Sequence, residues 1–253
     1  MTAIDLLRPP VRRARRWMRR HNGWLVADLE RRYDLNQLQR FEVVLNRHGR
    51  SFRTCSSILD FGCGVGRLTR HLATLAPAAA IVGCDISREG IAACRRRHPA
   101  GRFIVNQAAP PLDGIADETF DLIYSYSVFT HLSEPNHKAW LRELARRLRP
   151  GGVMLHTVHS YEYLRRTACF SPESLEKYQL GESIESFIRS GREYLYVVED
   201  PGIPEYGNTV MRKEYVREMW PRETGLAVLD VVEGAIESYP EGCQDLVLLG
   251  PQT

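Results

Sequence analysis

The run Ile58-Leu59-Asp60-Phe61 passes straight into Gly62-Cys63-Gly64-Val65-Gly66-Arg67, and from there into a helical pattern over Leu68 to Leu75. An apolar stretch with an acidic residue, three glycines at alternate positions and a helix start reads as strand, tight turn and helix N-terminus. Glycine is wanted in such a turn because a side chain would keep the backbone from closely approaching a ligand and would penalise positive φ. The helix beyond points its unpaired N–H groups and the positive end of its dipole at whatever sits in the loop. The dinucleotide fingerprint requires Gly-x-Gly-x-x-Gly/Ala. Here Arg67 stands three residues after Gly64, and the third glycine comes one residue early, at Gly66. A nicotinamide cofactor is therefore a distant alternative.

From Ser56 onward the pattern alternates strand and helix in short periods, the mark of a parallel sheet covered by helices. Strands are expected around Ile58, over Ala80 to Cys84 with Asp85 at the end, over Phe103 to Val105, over Phe120 to Ser125 and over Val153 to Val158. Helices are expected over Arg88 to Arg97, stopped by Pro99, and over Pro135 to Leu148, stopped by Pro150-Gly151-Gly152. The rhythm breaks at about 159–208, read as an insertion containing a strand at Tyr194 to Val198. A helix from Thr209 to Trp220 and strands at Leu226 to Val232 and Asp245 to Leu249 complete the expected sheet. Ahead of it, residues 25–50 read as a long amphipathic helix with Leu25, Leu29, Tyr33, Leu38, Phe41, Val44 and Leu45 facing inward.

Residues 1–24 form a basic leader. Seven arginines (Arg8, Arg12, Arg13, Arg15, Arg16, Arg19 and Arg20) and no acid lie between Asp5 and Asp28, against a net charge of +3 for all 253 residues. Val11, Ala14, Trp17 and Met18 would line one side of a helix there. Such a stretch suits a frayed leader, an anionic membrane surface or nucleic acid. No apolar run approaches the roughly 20 residues of a membrane span, and the apolar core of a signal peptide is missing, so a cytoplasmic protein is expected. The six cysteines contain no Cys-x-x-Cys pair, which suggests buried thiols rather than zinc or a disulfide framework.

Asp85 lies 25 residues after Asp60, where a doubly wound fold places an acid on ribose hydroxyls. Ile86 would then offer adenine an apolar wall, and Ser87 is the better-placed helix cap.

The acidic-x-Gly-x-Gly-x-Gly loop resembles the first motif of class I S-adenosylmethionine-dependent methyltransferases. Val82-Gly83-Cys84-Asp85, Phe120 to Ser125, Ser127 to Leu132 and Leu148-Arg149-Pro150-Gly151-Gly152 follow in order at similar spacings. The resemblance covers about residues 50–160. It implies a doubly wound α/β sheet of seven strands, the last antiparallel, with an N-terminal helical lid, the methyltransferase domain occupying 51–253. It implies that Asp60, Gly62, Cys63, Gly64 and Gly66 hold the methionine part of S-adenosylmethionine, that Asp85 and Ile86 hold the ribose and adenine, and that Asn106, Gln107 and Ala108 sit by the adenine. Many members carry an acid where Gln107 falls. Ser125 would close the site at the carboxyl end of the fourth strand.

Ser125-Tyr126-Ser127-Val128 departs from the Asn/Asp-Pro-Pro-aromatic run of nucleic-acid N-methyltransferases, and no acidic cluster for magnesium is visible. The expected activity is methyl transfer to a small molecule or glycoconjugate, at oxygen in preference to nitrogen, without a metal. His131 and His159 are the candidate general bases; His156 is read as pointing from its strand into the core. Tyr161, Tyr163, Tyr194, Tyr196, Tyr206 and Trp220 would line an acceptor site, or serve an ordinary core. Gly242 to Val247 is similar to the ending of bacterial methyltransferases of glycan and natural-product pathways. The alternatives are an RNA methyltransferase with a basic arm, and a regulatory protein that binds the cofactor without catalysis.

Overall fold

A computed structural model of the chain describes residues 23–160, 186, 189–198, 206–238 and 242–252. The expected leader helix, Tyr161, Tyr163 and most of the insertion lie outside these residues.

Helix α1 (Gly23–Arg47) and a short 3₁₀ turn (Phe52–Thr54) lead into β1 (Ser57–Phe61). Then come α2 (Thr69–Leu75), β2 (Ala80–Asp85), α3 (Arg88–Arg97), β3 (Arg102–Val105), β4 (Phe120–Ser125), α4 (Glu134–Arg147) and β5 (Leu148–Val158). The chain continues through β6 (Tyr194–Val198), β7 (Gly207–Met211), α5 (Lys213–Thr224), β8 (Ala227–Ser238) and β9 (Gly242–Gly250). Seven strands form one sheet in the order β3-β2-β1-β4-β5-β9-β8, and β6 pairs with β7 in a separate hairpin. The first five are parallel, and β9 inserts antiparallel between β5 and β8. This is the doubly wound, seven-stranded arrangement expected, with the last strand reversed.

All five residues of β1 are buried, as parallel strands covered on both faces must be. Alternation along the strand divides the core. Leu59 and Phe61 join Trp140 and Leu144 of α4 and Val216 and Trp220 of α5 on one face. Ile58 joins Leu38, Phe41 and Leu45 of α1 and Leu72 of α2 on the other. Four of the positions expected to face inward on α1, Leu38, Phe41, Val44 and Leu45, are no more than 2% exposed. Ser87 caps α3, its Oγ accepting the Gly90 amide at 3.0 Å.

One element differs from the sequence reading. Thr209 to Met211, expected to open a helix, belongs to β7, and the helix starts only at Lys213. Gly207 explains the difference. A Cβ there would lie 2.3 Å from the Val197 carbonyl oxygen and against the Tyr196 ring, so the backbone is held edge to edge with β6.

Candidate functional site

The loop after β1 is built on positive φ: +79° at Gly62, +54° at Gly64 and +78° at Gly66. The amides of Gly62 and Cys63 both donate to the Cys84 carbonyl, at 2.8 and 2.9 Å, which ties the turn to the end of β2. A Cβ on Gly62 would lie 2.2 Å from Val128 Cγ2, and one on Gly66 would lie 3.0 Å from Cys94 Sγ. At Gly64 a Cβ would meet nothing within 4 Å. Two glycines are thus required by packing beneath the turn, and the third presents an open backbone face.

Asp85 borders that face. Its Oδ2 accepts the Gly64 amide at 2.7 Å and its Oδ1 accepts the Ser87 amide at 2.8 Å. Each carboxylate oxygen has about two lone-pair sites, so both retain capacity for a pair of ligand hydroxyls. Ile86 beside it is 56% exposed, one of the large apolar side chains that face solvent among the described residues. The chain after β3 arrives at the same edge, where the Asn106 amide donates to the Asp85 carbonyl at 3.1 Å. Asn106 Nδ2 donates to the Gln107 carbonyl at 2.7 Å, Gln107 and Ala108 are exposed, and the Ala108 carbonyl accepts Trp140 Nε1 at 2.9 Å. A carboxylate with spare acceptor capacity, an exposed aliphatic side chain and an uncovered glycine backbone suit a ribose with its base and the adjoining chain, so the residues present fit an adenosyl cofactor.

Three expected contacts are oriented otherwise. Asp60 is 2% exposed and lies under the loop, where its carboxylate accepts Thr69 Oγ1 at 2.6 Å. Burial pushes its pKa up to about 6, against the opposing Thr69 hydrogen bond. Cys63 turns its thiol inward among Ile91, Cys94 and Phe103, and contributes its backbone to the turn. Ser125 is fully buried, its Oγ 2.8 Å from His156 Nδ1. The two-residue period of β4 puts Ser125 on the face of Ile123, toward the core.

His131 and His159 both contact β7, through Gly207 and Met211. His131 Nδ1 lies 2.8 Å from the Gly207 carbonyl, and its ring stacks on Tyr206 at 4.6 Å and 14°. A carbonyl only accepts, so Nδ1 carries the proton and Nε2 has the lone pair. The His159 carbonyl accepts the Met211 amide at 3.0 Å. Burial depresses both imidazoles: His131 is lowered against the raising effect of the Gly207 carbonyl, and His159 falls to about 3, with His131 nearby adding to the effect. Both rings are therefore neutral near pH 7.

Several residues at this end of the sheet escaped the sequence reading. Ser127 adopts φ +56°, held by Thr157 Oγ1, which accepts its amide at 2.8 Å, and by Gln244 Nε2, which donates to its Oγ at 2.5 Å. Tyr126 meets Tyr33 of α1, hydroxyl to hydroxyl at 3.1 Å, and the Arg67 guanidinium lies 5.9 Å from the centre of the Tyr126 ring. Position at the carboxyl end of β4 was the only signal for them. Among the described residues no cluster of three or more His, Cys, Asp or Glu could hold a metal ion, and no helix is long and apolar enough to cross a membrane.

The fold is that of class I methyltransferases: a solved N1-methyltransferase of Burkholderia thailandensis, crystallised with 1,6-didemethyltoxoflavin and S-adenosylhomocysteine, covers 98% of this chain and 92% of its own at 15% identity, TM-score 0.58. DesVI of Streptomyces venezuelae covers 90% and 97% at 18% identity, TM-score 0.59. Residues 58–152 match the family described as a methyltransferase domain. A fatty-acid O-methyltransferase of Mycolicibacterium smegmatis is 39% identical over 101 residues, 40% of this chain and 36% of the relative. A trans-aconitate 2-methyltransferase of Variovorax paradoxus is 32% identical over 126 residues, 50% and 46%. The chain therefore spans less than half the length of these curated relatives.

Proposed function

We propose that this protein transfers a methyl group from S-adenosylmethionine to an oxygen atom of a small organic acceptor. The observation that carries the reading is the Asp85 carboxylate on the Gly64 amide at 2.7 Å, beside the exposed Ile86. Asp85 would hold the ribose hydroxyls, Ile86 and the backbone of 106–108 the adenine, and the open face of Gly64 the methionine part. Asp60 and Thr69 would support the loop from below. When bound, the cofactor supplies a methyl group already activated on a sulfonium.

The chain's own contribution is then positioning and proton handling. Fixing two reactants in register has an upper scale of about 10⁵ to 10⁸ M in effective molarity. His131, protonated on Nδ1 by its bond to the Gly207 carbonyl, keeps Nε2 as the acceptor of a hydroxyl proton. We assign it the base role ahead of His159, whose pKa of about 3 makes it a poor proton acceptor. Oxygen is favoured by the names of the relatives, which include fatty-acid and ubiquinone-biosynthesis O-methyltransferases. A carboxylate acceptor needs no base at neutral pH, whereas a hydroxyl gains about 10²- to 10⁴-fold from one. The proposed setting is cytoplasmic, with the arginines of residues 1–24 against an anionic membrane surface.

Calorimetry with S-adenosylhomocysteine, followed by turnover on matched carboxylic acids, phenols and amines, tests the reading. We expect saturable cofactor binding and transfer to an oxygen acceptor. Cofactor binding without turnover across the set would support a regulatory protein instead, and transfer confined to amines would remove the oxygen assignment. Binding to RNA that weakens steeply with salt would restore the nucleic-acid reading.

A further inference from the structure

Three buried ring nitrogens that the proposed reaction does not use gather behind the acceptor side of the sheet. His137 of α4, His156 of β5 and Trp220 of α5 are at most 1% exposed. Their rings surround Phe129, with centroids at 4.7, 4.6 and 5.4 Å from it, and Trp220 is 5.3 Å from His137 and 6.0 Å from His156. His137 Nε2, His156 Nε2 and Trp220 Nε1 are all buried and hydrogen-bond to no protein atom among the described residues. Leaving a buried donor or acceptor unmet forfeits the hydrogen bonds it made to water in the unfolded chain, so three in one cluster call for a common partner.

The hydrogen-bond chemistry fixes what that partner must offer. The Tyr194 hydroxyl donates its single proton to the Leu132 carbonyl at 2.8 Å. His137 Nδ1, 3.2 Å from the same hydroxyl oxygen, must therefore be the donor of that contact, which leaves His137 Nε2 as a bare lone pair. Trp220 Nε1 can only donate. His156 Nε2 takes whichever role its Nδ1 leaves after bonding Ser125. Burial keeps both imidazoles neutral, with His156 depressed to about 3. A cation would meet the indole N–H head on. A water molecule accepts from Trp220, donates to His137 and satisfies His156 in either sense, the three bonds typical of buried water.

We propose that one ordered water bridges His137 Nε2, His156 Nε2 and Trp220 Nε1, and that this bridge makes His137 and Tyr194 positioning residues for the loop carrying His131. The route is short. With Nε2 as an acceptor, His137 must donate from Nδ1 to Tyr194, and Tyr194 then gives its proton to Leu132. Leu132 immediately follows His131, and its carbonyl also accepts Thr209 Oγ1. The loop is thus held through a tautomer set more than one residue away from it. The consequence for catalysis rests on the methyl-transfer reading; the water and the tautomer do not.

Three measurements on the full chain test the proposal. Long-range ¹H–¹⁵N spectra of the histidine rings should show His137 in the Nδ1–H form, and a crystal structure that resolves ordered solvent should show one water within hydrogen-bond distance of all three nitrogens. A His137 protonated on Nε2, density that bonds fewer than two of the three, or a metal ion in its place overturns the proposal. Trp220→Phe removes the donor while keeping an aromatic ring. It should lower kcat for the acceptor up to about 100-fold, the scale of a misplacement of about 1 Å, with affinity for S-adenosylhomocysteine unchanged. If kcat stays at the wild-type value while the water is lost, the positioning role falls. A variant that fails to fold is recognised by its lost circular dichroism and leaves the wild-type spectra to decide.

Discussion

Arg70 Nη2 lies 2.7 Å from Asp34 Oδ2, and the Asp34 side chain is fully buried although Arg70 remains 39% exposed. Arg67 reaches the other carboxylate oxygen at 3.3 Å. The helix in front of the sheet is thereby fastened to the helix that leaves the glycine loop. The two sides of this arrangement are not equivalent. Removing Asp34 releases two arginines that water can solvate, whereas removing both arginines leaves a buried carboxylate with two cations fewer. We expect Asp34→Asn to cost about 1–2 kcal/mol and the double variant Arg67→Ala/Arg70→Ala about 3–5 kcal/mol. Urea unfolding of the three proteins measures both, and an equal or reversed order would contradict the assignment.

Replacing Gly62 by alanine adds a methyl at a position with φ +79° that would lie 2.2 Å from Val128 Cγ2. Valine is stiff at χ1, so the loop rather than the side chain must yield. Gly62→Ala is expected to destabilise the protein by about 1–3 kcal/mol and to weaken cofactor binding. Gly64→Ala meets no atom within 4 Å and carries only the backbone strain of φ +54°, so it should cost less stability than Gly62→Ala and act mainly on binding. Melting temperatures and cofactor Kd for the pair separate the two effects; identical behaviour would argue against the open face of Gly64.

For Asp85, loss of one charged acceptor corresponds to about 1.5–3 kcal/mol per hydrogen bond. Asp85→Asn should therefore raise the Kd for S-adenosylhomocysteine by roughly 10- to 100-fold. A near-normal Kd would remove Asp85 from the cofactor site.

Buried histidines set the response to acid. Burial lowers His156 to about 3 and His137 well below its ordinary value, while the unfolded side chains titrate near 6.5. The unfolded state thus binds more protons below pH 6.5, and stability present above that pH is lost progressively as pH falls toward the folded values. The slope is about 1.4 kcal/mol per pH unit for each histidine. Asp60, raised to about 6, acts in the opposite sense, its contribution being present at low pH and lost as pH rises through 6, but it is one group against these two and the depressed His131 and His159. The urea midpoint should drop between pH 7 and pH 5, with a shallower drop in His156→Gln. A midpoint that rises over this interval would exclude the histidines as its cause.

Local patterns made the sheet legible. The strand leading to Gly62, the acid at Asp85 and the stop at Pro150 each act within a few residues, and the parallel order follows once they are placed. The β6–β7 hairpin did not show itself, because Thr209 to Met211 carries no signature that distinguishes a strand from a helix start; only the contact of Gly207 with Val197 and Tyr196 decides it. The same limit applies within the site. Asp85 was readable from its distance to the glycines. Asp34 was not, since it pairs with Arg67 and Arg70 across more than thirty residues and nothing near it announces the partner. Ser125 was placed correctly along the chain and misjudged in direction, because a strand terminus fixes where a residue lies and its pairing with His156 fixes which way it points.

The reversed strand β9 has a consequence for how such a protein diversifies. Because it runs against β5, its opening residues arrive at the carboxyl ends of the parallel strands, with Asp245 beside Val158 and Gln244 donating to Ser127. The proposed cofactor cradle lies at the ends of β1, β2 and β3, on the far side of the sheet. Selection acting on the final strand can therefore reshape the neighbourhood of the acceptor while the machinery that reads the adenosyl group stays as it is, two parts of one sheet free to drift at different rates.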